Sequence, residues 1–238
     1  MPPLDNDVEW WVLLHGTPLT PAAWDGVAAH LGRRRHVLCP AATPSGNARD
    51  AAAELAARLA STNGGLPERA HLVGHSFGGQ VALDLALLAP DRIRTLTLIC
   101  SRDTPYPAFA AAAAALRRGE PVDPGAVLGR WFTAAELAAA GPVVRYARSC
   151  IEHGERRSWA AALEAIARYD RADRVAAISV PVTLIAAEHD QVSTPAAMSA
   201  LAGRLPRGSL TVLPGAAHLS PFCDPAALAG LIVRGRVA

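Results

Sequence analysis

Leu72-Val73-Gly74-His75-Ser76-Phe77-Gly78-Gly79 is the stretch on which the reading of this chain turns. An apolar run from His71 ends at a glycine. Beyond Ser76, Val81, Leu85 and Leu88 recur at helical spacing. A strand His71 to Gly74 therefore meets a helix opening at Ser76, with almost no loop between them. A serine in so tight a turn takes a strained backbone, and side chains two residues to either side would clash. Gly74 and Gly78 remove them. Such a turn lifts the serine hydroxyl clear of the sheet. It also leaves the N–H of Phe77 at a helix start, where it can stabilise a negative charge.

Outward from this turn, short apolar runs alternate with helical stretches. Trp10–Leu14, His36–Cys39, Thr95–Cys100, Val182–Ala187 and Leu210–Leu213 read as further strands. Helices are expected from Thr20-Pro21 (Thr as N-cap), from Asn47 onward, from Thr194-Pro195 and from Asp224-Pro225. About six strands alternating with helices imply an α/β fold, a mostly parallel sheet covered on both faces. The alternation stops between residues 102 and 173, where Ala- and Arg-rich amphipathic pieces replace strands. One opens with Thr133 and Glu136 at capping-box spacing. The expected organisation is a core of 1–101 and 174–238, with 102–173 a helical lid over the sheet's carboxyl edge.

The totals exclude several classes of function. At 238 residues, with 51% hydrophobic and 18% charged, the chain can fill one sizeable core and is not a disordered segment. A formal net charge of +2, with all 23 basic residues Arg and spread along the chain, predicts no nucleic-acid footprint. Its longest weakly polar run, Ala108–Leu116, falls far short of the roughly 20 residues that a bilayer requires. Met1–Glu9 carries acids and prolines, not a signal peptide's basic and apolar segments, so the expected location is cytoplasmic, with no membrane partner. Cys39, Cys100, Cys150 and Cys223 lie far apart, and they read as buried small hydrophobes with no metal or disulfide role.

A serine hydroxyl is a poor nucleophile until a base takes its proton, and that base needs a carboxylate to orient it. His218 follows the last strand in Leu213-Pro214-Gly215-Ala216-Ala217-His218, and Asp190 follows the preceding strand in Glu188-His189-Asp190. Both loops leave the same sheet edge as Ser76, in the chain order Ser, Asp, His. Glu188 and His189 compete for these roles, with Glu188 also readable as a structural partner in its turn. His75 should face away from the reacting side, and His71, inside a strand, reads as a hydrogen-bonded core residue. His15-Gly16-Thr17, after the first strand, should bring the Thr17 N–H opposite that of Phe77 to complete an oxyanion hole.

His15-Gly16, the Gly74-to-Gly79 turn, the loop through Asp190 and the Gly-Ala-Ala-His218 loop together resemble the α/β-hydrolase superfamily over essentially the whole chain. That resemblance implies an α/β-hydrolase fold with Ser76 as nucleophile, Asp190 as acid and His218 as base. Arg130-Trp131-Phe132-Thr133, Trp159 to Asp170 and Val180-Pro181-Val182 resemble 3-oxoadipate enol-lactonases. The compact length and the Gly74-to-Gly79 turn are similar to the small methylesterase and hydroxynitrile-lyase group. Two departures stand out: few residues precede the first strand, and Cys39–Asn47 lacks the Asp and Gly-x-Gly loop usual after the second.

The expectation is a serine hydrolase of a small ester or lactone, needing no cofactor and no metal. His15, Tyr106, Trp131, Phe132 and Trp159 are candidate pocket residues, with Tyr146 a further lid aromatic. A lyase or cofactor-free oxygenase using the same three residues, or a binding protein on this scaffold, are the alternatives. The sequence is silent on oligomeric state.

Overall fold

The computed structural model describes residues 9–31, 35–38, 50–61 and 69–235. Cys39, the Cys39–Asn47 loop, the expected helix start at Asn47 and residues 1–8 lie outside them.

Six strands form one sheet: β1 (Glu9–Leu14), β2 (Arg35–Leu38), β3 (Ala70–His75), β4 (Ile93–Ile99), β5 (Val182–Ala187) and β6 (Gly208–Leu213). All pair in parallel, in the order β2-β1-β3-β4-β5-β6. Parallel strands need crossover helices, and these supply the covering layers. They are α1 (Asp25–His30), α2 (Ala51–Ser61) and α3 (Phe77–Leu88) early in the chain. Late in the chain come α9 (Pro195–Arg204) and α10 (Pro225–Arg234). The interior strands are mainly apolar. β3 is buried at every residue, as is β5, which fits a sheet covered on both faces.

The strand order positions the site. The chain leaves β1 outward to β2, then returns to β3 on the other side of β1. The β1/β3 junction is therefore the topological switch point, where the loops beyond the carboxyl ends diverge and leave a crevice. His15-Gly16-Thr17 and Ser76 lie at that place.

Between β4 and β5 the chain holds five helices and no strand: α4 (Phe109–Arg117), α5 (Pro124–Trp131), α6 (Ala134–Ala139), α7 (Pro142–His153) and α8 (Arg156–Arg168). Their ends follow from local chemistry. Asp123 caps α5 ahead of Pro124, Glu155 caps α8, and Thr133 with Glu136 forms a full capping box on α6. Thr20 departs from its expected role as an N-cap. Its side chain makes no cap bond, because its hydroxyl and its N–H both meet the Tyr146 hydroxyl of α7, and the segment opens as a single 3-10 turn, Pro21–Trp24. Among the cysteines, Cys100 and Cys150 are buried, but Cys223 is exposed because it ends a surface 3-10 turn.

Candidate active site

The turn after β3 has the strained geometry its glycines imply. Ser76 sits at φ 53° and ψ −120°, a positive φ that a side chain rarely tolerates. A Cβ on Gly74 would lie 2.5 Å from the Gly78 carbonyl oxygen, and one on Gly78 would meet the backbone of Leu14 and His15. The surroundings hold the conformation. Ser76 N–H donates to the Ile99 carbonyl at 2.9 Å, and the Ser101 hydroxyl donates to the Ser76 carbonyl at 2.8 Å. Phe77 is the first residue of α3, so its N–H has no partner within the helix. Gly16 packs directly on this turn: a Cβ there would sit 3.0 Å from the Ser76 Cβ. Thr17 is thereby brought to the same cavity as Ser76.

The loops after β5 and β6 meet beside it. Asp190 and His218 are both buried, and Nδ1 of His218 lies 2.7 Å from Oδ2 of Asp190. The other carboxylate oxygen accepts from the N–H groups of Val192 (2.8 Å) and Ser193 (3.0 Å). Burial alone would raise the Asp190 pKa. The adjoining His218 and these hydrogen bonds outweigh it and hold the carboxyl below its ordinary range. With a carboxylate accepting at Nδ1, that nitrogen carries the hydrogen and Nε2 keeps a lone pair. The rival carboxylate is engaged elsewhere: Glu188 is exposed and accepts from the Gly215 N–H at 2.6 Å, tying the two loops together. His189 is exposed as well.

Two other histidines border the site. His75 is buried with its ring centroid 4.9 Å from that of His218, and its Nε2 donates to the His218 carbonyl at 3.2 Å. Burial and the proximity of His218 push its pKa down to about 3. His15 is buried too, with Nδ1 donating to the Gly16 carbonyl at 2.9 Å. Burial lowers its pKa. His71 stacks on Trp11 and bonds the Thr95 hydroxyl at 2.8 Å, inside the sheet.

Ser76, Thr17 and His218 open on one cavity of about 250 Å³, walled chiefly by α4, α5 and α8. Trp131 and Trp159 line it. Tyr106, Phe132 and His15 do not. Tyr106 packs edge-on against Phe109 and under the Arg102 guanidinium, while Phe132 and His15 are buried. Tyr146 lines a separate hollow beside α1. The expected list of aromatics missed the wall that α4 supplies through Phe109, Ala112, Ala115 and Leu116. It also missed Ser101, and Arg102, whose guanidinium donates to the Val192 carbonyl at 2.6 Å and steadies the Asp190 loop.

Cys100, Asp190 and His218 each place a donor atom within 4.8 Å of the others. Within this set the Asp190 carboxylate already accepts from His218 Nδ1. Burial and then the Asp190 charge push the Cys100 thiol well above its ordinary range.

Comparison with known proteins agrees with this architecture. The chain is 28% identical over 227 residues to a pimeloyl-[acyl-carrier protein] methyl ester esterase of Nitrosomonas europaea, covering 89% of this chain and 88% of that one. A hydrolase from Pseudomonas aeruginosa superposes with a TM-score of 0.85 at 27% identity, over 98% of this chain and 91% of the other. The enol-lactonase of Burkholderia xenovorans shares the fold with a TM-score of 0.82 at 22% identity, over 97% and 92% of the two chains. No helix among the described residues is long and apolar enough to cross a membrane. The model of the alpha/beta hydrolase family matches residues 11–231, and the chain belongs to that family.

Proposed function

We propose that the chain is a cofactor-independent serine hydrolase that cleaves a small carboxylic ester or lactone through an acyl-enzyme on Ser76. The observation carrying this reading is the 2.7 Å bond between His218 Nδ1 and Asp190 Oδ2, with His218 and Ser76 opening on one cavity. His218 Nε2 removes the Ser76 hydroxyl proton as Oγ attacks the carbonyl carbon. The resulting oxyanion is held by the N–H groups of Thr17 and Phe77, each such donor contributing roughly 3–4 kcal/mol. His218 then returns the proton to the leaving alkoxide. Water, deprotonated by His218, attacks the acyl carbon and frees the acid and Ser76. Asp190 stays ionised throughout and fixes the imidazole tautomer. Residues 102–173 act as a lid, and its mainly apolar wall favours a substrate with an apolar chain beside the ester. Similarity to a methyl ester esterase supports ester cleavage.

A fluorophosphonate probe followed by peptide mapping tests the assignment. Label on the peptide carrying Ser76, lost in Ser76→Ala, is the expected result, together with turnover of p-nitrophenyl esters or lactones. Label on another residue, or none on folded protein, would overturn it. Label on Ser76 without turnover of either substrate class would favour a lyase or oxygenase.

A further inference from the structure

We propose that Glu136, in the helical segment above the sheet, is a positioning residue for the His218 base; this rests on the triad reading above. His218 sits in a loop whose two neighbouring residues are both tied to the helical segment, Leu219 directly and Ala217 through Ser220. On one side, the Leu219 N–H donates to the carbonyl of Trp131, the last residue of α5, at 2.8 Å. On the other, the Ala217 N–H donates to the Ser220 hydroxyl at 2.8 Å, and that hydroxyl donates its single proton to Glu136 Oε2 at 2.7 Å.

The direction of the relay is fixed. A hydroxyl that accepts from a backbone N–H and donates to a carboxylate has a set orientation, and a bond to an ionised acceptor is the stronger kind. Glu136 is itself held in place. The same Oε2 accepts from the Thr133 N–H at 2.7 Å and the Thr133 hydroxyl at 2.9 Å, the capping box that starts α6. A cap needs only the carboxylate and Thr133. The additional Ser220 bond reaches 84 residues along the chain, to the base's own loop. It joins the start of α6 to the residue before His218, just as Trp131 joins the end of α5 to the residue after it. Below, the body contributes the His75 bond to the His218 carbonyl.

The base is therefore placed from above as well as from below, where Asp190 also holds its ring. Its alignment with Ser76 depends on α5 and α6 being seated, so loss of that seating costs turnover before it costs substrate affinity.

Glu136→Ala, Ser220→Ala, the double variant and Glu136→Gln test this, with Glu155→Ala as control. Glu155 caps α8 by accepting from Arg157 and Ser158 N–H groups, and it makes no bond to the His218 loop. Expected results are a fall in kcat on the order of tenfold for Glu136→Ala and for Ser220→Ala, with KM nearly unchanged. The double variant should be no worse than either single change, Glu136→Gln should recover most of the loss through its amide oxygen, and Glu155→Ala should keep its kcat. Fluorophosphonate labelling of Ser76 should slow in the same ratio as kcat, since that small probe needs the base but little of the cavity. Labelling at the wild-type rate in folded Glu136→Ala, or an equal loss of kcat in Glu155→Ala, would overturn the proposal. Failure of the wild-type protein to label at Ser76 would instead overturn the triad reading.

Discussion

Adding one methyl group at Gly74 is the most demanding test of how the turn works. A Cβ built there lies 2.5 Å from the Gly78 carbonyl oxygen and 2.5 Å from the Gly79 Cα, both backbone atoms of the turn and of α3. Ordinary contact begins at 3.4 Å, so the backbone must give by about 0.9 Å, the difference between the two distances. No flexible side chain can absorb this. Forced backbone shifts in a packed core cost roughly 1–3 kcal/mol. For a chain of this size, where each kcal/mol moves Tm by about 2–4 °C, the melting temperature should fall by roughly 2–12 °C. The effect on rate should be larger. Ser76 lies midway between the two positions that must part, and a displacement near 1 Å costs on the order of 100-fold.

The assay pairs calorimetry with the second-order rate of fluorophosphonate labelling for Gly74→Ala. Gly129→Ala is the control: it lies inside α5 with nothing within 4 Å of the added carbon. An alanine there should leave labelling unchanged and stabilise the helix by up to about 1 kcal/mol. A Gly74→Ala protein that melts within a degree of wild type and labels within twofold would refute the claim that the glycine is needed for steric reasons.

Three further outcomes follow. Asp190→Asn should lower kcat by about 10⁴-fold with little change in KM, because an amide no longer enforces the Nδ1–H tautomer; steady-state kinetics check it. The Asp190 carboxyl is depressed below an unfolded value of about 3.9, so its stabilisation is complete above roughly pH 5 and is lost as pH falls through the folded pKa. The stability gap between wild type and Asp190→Asn in urea unfolding should therefore narrow from pH 6 toward pH 3; a constant or widening gap would contradict the cause assigned. Ala115→Phe should fill part of the cavity wall. Each methylene of a longer acyl chain then excluded costs about 0.8 kcal/mol, roughly fourfold in kcat/KM, while acetate esters are spared; equal losses on acetate and hexanoate esters would place the chain elsewhere.

How much was legible in the sequence depended on whether backbone or side-chain partners did the deciding. The turn at Ser76 was readable because only glycine fits at 74 and 78, and a backbone demand of that kind leaves a spacing. The strands were readable because burial on both faces forces apolar runs, and β5 has the expected bounds. From the sequence Asp190 was preferred to Glu188, which sits closer to the strand end and was also readable as a structural partner in its turn. The structure agrees with that preference in geometry, with the Gly215 N–H bonded to Glu188 and His218 bonded to Asp190. The cavity wall was harder still. An amphipathic helix signals an apolar face but not whether that face meets a cavity or the body, so Trp131 and Phe132 read alike yet only Trp131 lines the cavity. Alanines of α4 that looked uninformative form the wall because their smallness leaves the space. The Thr133–Glu136 spacing was recognisable as a cap, while the reach of Glu136 to Ser220 depends on a fold contact that no local pattern encodes.

The crowding of three histidines around Ser76 raises a question of electrostatics, and burial answers it. Imidazoles whose rings lie 4.9 Å apart would repel strongly if both were charged. His75 is held neutral by burial, with a pKa near 3, and burial lowers that of His15 as well. A neutral His75 serves better than a charged one. Its Nε2–H still donates to the His218 carbonyl, fixing the base's backbone, yet it adds no charge to oppose an imidazolium forming on His218. His218 meets the Asp190 carboxylate through its ring, and that carboxylate is anchored by two backbone N–H groups. In the proposed mechanism the proton from Ser76 goes to that imidazole. The same burial that lowers the pKa of His15 and His75 suits them to scaffolding, and it was the place of His218 after the last strand, not residue type, that marked it as the candidate base.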